Sequence, residues 1–143
     1  MSETTGPVIA GVNHIALTVT DIDASMAWYQ RVFRTDQVLG KFPHLEKEET
    51  GYGLLLLEPR SGVIVAFHTN TGNQGESFDE VRTGLDHLSF SVASQEELHA
   101  WAAWLDELGV EHTGVRHVTE PFPISTVVLR DPDNIQLEFV TAG

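Results

Sequence analysis

Hydrophobic and polar side chains alternate along residues 13–19, "NHIALTV", and again along 86–92, "DHLSFSV". A period of two reads as a strand with one buried face. Ile15, Leu17 and Val19 form that face in the first run, and Leu88, Phe90 and Val92 in the second. The period then lengthens. Ile22, Met26, Tyr29 and Phe33 recur at helical spacing after "TDIDAS", which predicts a helix over 23–34. Leu98, Trp101, Leu105 and Leu108 do the same after "ASQEE", which predicts one over 95–108. Both lead-in segments supply side chains that can cap a helix, and the aromatics on these faces are read as core. Strand-like runs follow at 36–42, 52–58 and 63–69, then at 110–118, 124–130 and 135–140, with the turns "EPRSG" and "RDPDN" before the last of each set.

The pattern is therefore written twice. His14 and His87 lie 73 positions apart, and the same shift pairs Val19 with Val92, Ala27-Trp28 with Ala100-Trp101, and Pro59 with Pro132. One residue is dropped where "PRSGV" becomes "PDNI", after which Val63 meets Ile135 and Phe67 meets Phe139. A fixed long period marks a repeated structural unit. The reading is an α+β chain of two tandem βαβββ modules: module one over 11–69, a Gly/Asn-rich linker over 70–84, and module two over 85–141.

Strand parity brings chemistry into this frame. If Ile15, Leu17 and Val19 face a helix, then His14, Ala16 and Thr18 face the other way. In the second copy His87, Ser89 and Ser91 share that face, and in the last strand Gln136 and Glu138 oppose the core residues Ile135, Leu137 and Phe139. Two histidines at repeat-equivalent positions, with a carboxylate on the same face, predict a shared polar site of His14, His87 and Glu138. Two imidazoles and a carboxylate suit a facial triad with open positions, a catalytic zinc, or a harder ion such as manganese.

Composition narrows the partners. Eight basic residues against twenty-one acidic ones give a net charge of −13, which disfavours binding to nucleic acid or anionic lipid. With no cysteine, any metal must be held by His, Asp or Glu. No apolar run approaches the roughly 20 residues of a membrane span. The opening "MSETTGPV" has neither the basic start nor the apolar core of an export signal, so a cytoplasmic protein is expected.

The pattern "VNHIALTV…GLDHLSFSV…DPDNIQLEFV" resembles the vicinal oxygen chelate superfamily, which includes glyoxalase I, extradiol dioxygenases, fosfomycin-resistance enzymes, epimerases and bleomycin-resistance proteins. The resemblance implies two modules curled into a half-barrel around a divalent metal (iron, manganese, zinc or nickel), and a homodimer. It places the family's ligands on His14, His87 and Glu138. In glyoxalase-like members module one offers a fourth ligand, and the position matched here is Ala66, which cannot bind metal. His68, two residues on, shares its parity and is expected to act as a shifted ligand or, in preference, as a catalytic acid/base. Fosfomycin thiol transferases carry basic residues near and after the final Glu, and "EFVTAG" has none. Extradiol dioxygenases place a tyrosine where this chain has Val127-Val128-Leu129.

The function expected is that of a metal-dependent lyase, isomerase or ring-cleaving dioxygenase acting on a small substrate that chelates the metal through adjacent oxygens. The alternative is a non-catalytic binding protein of the bleomycin-resistance kind. His117 is read as a solvated edge residue, His44, His99 and His112 as surface residues, and Phe78 as a lid or a loop anchor.

Overall fold

The computed structural model describes residues 5–143, so the first four residues of the segment read above for export features lie outside it. Module one runs β1 (Ile15–Thr18), α1 (Ile22–Phe33), β2 (Val38–Pro43), β3 (Tyr52–Glu58) and β4 (Val63–His68). Module two repeats this as β5 (Leu88–Ser91), α2 (Gln95–Leu108), β6 (Arg116–Val118), β7 (Ile124–Arg130) and β8 (Gln136–Ala142). The sheet orders are β1-β4-β3-β2 and β5-β8-β7-β6, with the outer pairs β1–β4 and β5–β8 parallel. The α+β fold of two βαβββ modules is the one expected.

The helices begin and end where their side chains dictate. Asp21 caps α1 by accepting the amide of Ala24 at 3.0 Å, and Ser94 caps α2 by accepting that of Glu97 at 3.1 Å. Gly109 closes α2 in the left-handed region at φ 69°, a conformation that costs glycine nothing. Ile22, Met26, Tyr29 and Phe33 are buried on α1, and Leu98 and Leu105 on α2. The parity reading also holds: Leu17, Val19, Leu88, Leu137 and Phe139 are buried beneath the helices.

One core serves both modules. Phe33, at the end of α1, meets Phe90, Trp101 and Phe139 of module two edge-on, with ring centroids 5.0, 6.0 and 6.2 Å away. Trp104 of α2 donates its indole N–H to the carbonyl of Val32 at 2.9 Å. The "DPDN" turn locks the seam. Asp131 accepts the phenol of Tyr29 at 2.8 Å, while Asp133 takes both the amide and the hydroxyl of Thr20. Burial, and then the facing Asp131, push the Tyr29 phenol well above its ordinary range.

One expected strand is shorter than its sequence pattern. Residues 110–115 join the sheet through one bridge from His112 to Leu129 and a bond from the Val128 amide to Thr113 Oγ1, and β6 starts at Arg116. The early part is drawn aside because His112 is spent on local bonds to Asp106 and to the amide of Gly114, both 2.9 Å. This corrects the surface reading of His112, whose side chain is only 9% exposed.

Candidate metal centre

Each of the two repeat-equivalent histidines stands one residue before its strand, His14 ahead of β1 and His87 ahead of β5. Each is also preceded by a short side chain with a carbonyl-type oxygen. His14 Nδ1 lies 2.8 Å from Asn13 Oδ1, and His87 Nδ1 lies 2.6 Å from Asp86 Oδ1. Those oxygens can only accept, so each Nδ1 carries the hydrogen and a neutral ring leaves Nε2 with a free lone pair. Metal-ligating histidines are commonly oriented in this way by a second group. The signal was present in the sequence as an Asn-His and an Asp-His dipeptide at the same repeat position, and sequence reasoning passed over it.

In module two, Ser89 pairs with Glu138 and Glu138 with Val128, so the three share the face opposite the helix. Ser89 donates its hydroxyl to Glu138 Oε1 at 2.7 Å. His87 Nε2 lies 3.9 Å from the same oxygen. That gap is too long for a hydrogen bond and wider than the roughly 3.0–3.4 Å that two donors about 2.1 Å from one ion span at octahedral or tetrahedral angles, so the two side chains would have to close by about half an ångström to share an ion. Val128 stands beside Glu138, and its side chain offers no proton.

His14 does not join this pair. It belongs to the other sheet, whose edge strand β1 makes no ladder with β5. Among the described residues, no three His, Asp or Glu side chains of one chain gather as a metal-binding set. The donor set therefore suits a borderline divalent ion chemically, but one chain holds two of its members together and the third apart. An open cleft of about 1140 Å³ follows the seam between the modules and reaches His14 and Ser89. Its walls include the helix-side aromatics Phe33, Phe90 and Trp101. His87 and Glu138 are not among the residues lining that cleft, although Ser89, which bonds Glu138, and His14 are.

Module one furnishes a different wall. Thr18 pairs with His68, His68 with Gly53 and Gly53 with Phe42, which puts all four in one row on the helix-free face. Ala66, in the neighbouring row, is fully buried between Ala16 and Leu55. The His68 ring packs edge-on to Phe42 with centroids 4.9 Å apart and stacks on His44 at 5.1 Å. Gly53 makes room for it. A Cβ there would meet Phe42 at 2.5 Å and His68 at 2.9 Å. His44 is thus no free surface residue. Its Nδ1 sits 2.6 Å from Thr50 Oγ1, whose own hydrogen goes to the Lys47 carbonyl, so His44 must be the donor. Burial first, then His44 and His14, hold the His68 imidazole below its ordinary range.

Other expectations resolve simply. His117 turns to the helix side and bonds Ser125 Oγ at 2.6 Å. Phe78 is an anchor: its amide donates to Asp133 and its carbonyl accepts from Asn134, at 2.8 and 3.0 Å.

The model of the Glyoxalase/Bleomycin resistance protein/Dioxygenase superfamily matches residues 11–139, nearly the whole chain. The chain belongs to that superfamily. A glyoxylase/bleomycin resistance protein/dioxygenase domain from Frankia sp. EAN1pec is 32% identical, with 95% of this chain and all of that one covered at a TM-score of 0.80. A fosfomycin resistance protein from Listeria monocytogenes, FosX, solved with Mn(II) and sulfate, superposes at a TM-score of 0.61. It is 19% identical over 95% of both chains, which bears on the fold alone. In sequence, the metallothiol transferase FosB from Bacillus licheniformis is 26% identical, covering 94% of this chain and 77% of its own length. Its likeness bears on superfamily membership, and this member's reaction is argued from its own residues. No helix among the described residues is long and apolar enough to cross a membrane.

Proposed function

We propose that this superfamily member is a metal-dependent enzyme in which His14, His87 and Glu138 bind one divalent ion, iron, manganese, zinc or nickel. The observation that carries the reading is the paired orientation of the histidines. Asn13 and Asp86 hold each Nδ1, and His87 Nε2 is aimed beside a Glu138 that Ser89 steadies. When bound, such an ion supplies Lewis-acid polarisation of two adjacent substrate oxygens. Since one chain keeps His14 apart, the third ligand comes from a second copy, and the bare β1 and β5 edges support a homodimer in which each cup joins module one of one chain to module two of the other.

The chain's own groups then have assigned tasks. His68, whose imidazole is held toward its neutral form by burial and by its histidine neighbours, accepts a proton from the substrate carbon or hydroxyl held before it. Phe42 and His44 keep its ring in place. With Ala66 at the fourth-ligand position, three protein ligands leave room for a bidentate small molecule, which suits a lyase, isomerase or ring-cleaving reaction. A cytoplasmic setting remains part of the proposal.

Metal analysis of protein purified without chelator tests the reading, with His14→Ala alongside. Wild type should carry up to one divalent ion per chain and the variant almost none. If wild type binds none, the protein is instead a binding module of the bleomycin-resistance kind. His68→Ala should keep the ion and slow proton transfer. Loss of the ion as well would make His68 a ligand.

A further inference from the structure

The arm that leads into β1 is apolar and stands off the chain that carries it. Val8, Ile9 and Val12 are 90, 90 and 82% exposed, and residues 5–12 make no hydrogen bond among the described residues. Their β-branched side chains favour extended backbone, and no helix or strand forms there. Soluble chains rarely leave neighbouring apolar side chains so bare without a partner for them. The same stretch is also uncharged. Asp, Glu, Lys and Arg are missing from all 17 positions between Glu3 and Asp21, in a chain that is 20% charged with a net charge of −13.

The seam cleft of about 1140 Å³ offers a matching surface. Its module two wall is β5 with the two residues after it, backed by Trp101 and Trp104 of α2. β5 is bonded to β8 alone, so the amides and carbonyls of its outer edge have no strand partner. Phe90, Val92 and Trp101 are only partly buried there. The chain's own arm does not fill this space. Val12, Asn13 and His14 line the cleft, and the chain then leaves it with Val8 and Ile9 almost bare. Two copies at −13 each repel wherever acid faces acid, and the uncharged arm is the stretch that approaches a second copy without that cost.

We infer that the arm is exchanged: residues 8–12 of each copy lie along the open β5 edge of a second copy and cover its Phe90 and Trp101. This rests on the proposed homodimer and names the segment that holds it. An added strand bonds through its backbone and sets its side chains into pockets beside the edge. Five extended residues span about 17 Å, enough to run the length of a four-residue strand. A two-fold pairing makes the exchange twice, once at each β5. His14 follows Val12 by two residues, and it and Ser89 line the same cleft, so a docked arm carries its histidine toward the Glu138 that Ser89 bonds.

The chain has no cysteine, so Ile9→Cys supplies a unique thiol for a benzophenone photo-crosslinker. The labelled chain is refolded together with unmodified ¹⁵N-labelled chain, illuminated and digested. Crosslinked peptides from residues 88–104 should carry the heavy isotope, which places the arm on the other copy. In sedimentation equilibrium, Val8→Asp with Ile9→Asp should raise the dimer dissociation constant about tenfold or more. Leu45→Asp with Val81→Asp adds the same charge at two other bare apolar positions, and should change it less than about threefold. Because Val8 and Ile9 are exposed in the single chain, the arm variant should unfold like wild type when both are dilute and monomeric. Crosslinks confined to the arm's own chain, a dimer as tight in the arm variant as in wild type, or a wild type that stays monomeric overturns the inference. A dimer that binds zinc without using its arms would remove the exchange and keep the shared metal site. Exchanged arms in a protein that takes up no zinc would do the reverse.

Discussion

At matched positions of the repeat, module one has Ala16, Gly53 and Ala66 where module two has Ser89, Thr126 and Glu138. The backbone plan is the same, with the same strand order and the same Asx–His entry into the first strand. The side chains on the cup face have diverged in opposite directions. Module two keeps the carboxylate, supports it with a serine and places Arg116 at the far end. Module one removes bulk. Its small residues leave space that His68, Phe42 and His44 occupy as an aromatic and imidazole wall. A duplicated unit can thus hold its hydrophobic face fixed for folding while the opposite face specialises. The asymmetry also fits the proposed site, with one ligand from module one and two from module two.

The largest effect is expected at the supports of the two histidines. Asp86→Ala should weaken divalent metal binding about 10- to 100-fold, and Asn13→Ala less, because a neutral amide enhances the ring's basicity less than a carboxylate does. Calorimetric titration with zinc on each variant measures this. Equal losses would mean that the supports only position the rings.

Next is the latch between modules. Tyr29→Phe removes the donor to the buried Asp131, and should cost about 1–3 kcal/mol in chemical denaturation. Burial already raises the Asp131 carboxyl above its ordinary range. A group whose native value is raised takes up its proton more readily when folded. The variant's deficit should therefore shrink as acid protonates Asp131.

Gly53→Ala tests whether the module one wall needs its missing side chain. The added methyl would press on Phe42 and His68, which should cost about 1–3 kcal/mol and move the His68 ring resonances. Thr126→Ala, the matched change in module two, should leave the His68 resonances in place.

The smallest effect is expected at Glu80, where hydrogen bonds from Arg130 bring the carboxyl down to about 2 from 4.5. A lowered carboxylate value stabilises the folded state above the unfolded value and loses that contribution as pH falls through the folded one. Wild type should exceed Glu80→Gln slightly at neutral pH. The difference should vanish between about 4.5 and about 2.

Much of the fold was legible because burial writes a period into a sequence. Leu17, Leu88, Leu137 and Phe139 alternate with polar neighbours, and the helical faces repeat as they must. The repeat made His14, His87 and Glu138 visible as a set. What escaped was whatever depends on registry between strands remote in sequence. Arg116 and His117 are adjacent, and only pairing with Thr126 and Ser125 decides which one faces the cup. His44 reads as a surface residue until the hairpin of β2 and β3 brings it over His68. The separation of His14 from its partners was equally hidden, since parity tells which face a side chain takes and not which sheet lies opposite.

The central claim is that one ion is held by His14 of one chain with His87 and Glu138 of another. Mixing His14→Ala and Glu138→Ala chains, unfolding and refolding them together, and counting bound zinc tests it directly. Neither variant alone should bind. The mixture should recover roughly a quarter of the wild-type zinc, because half of the randomly formed pairs contain one intact site out of two. A mixture that binds no more than the separate variants would contradict a site shared between chains.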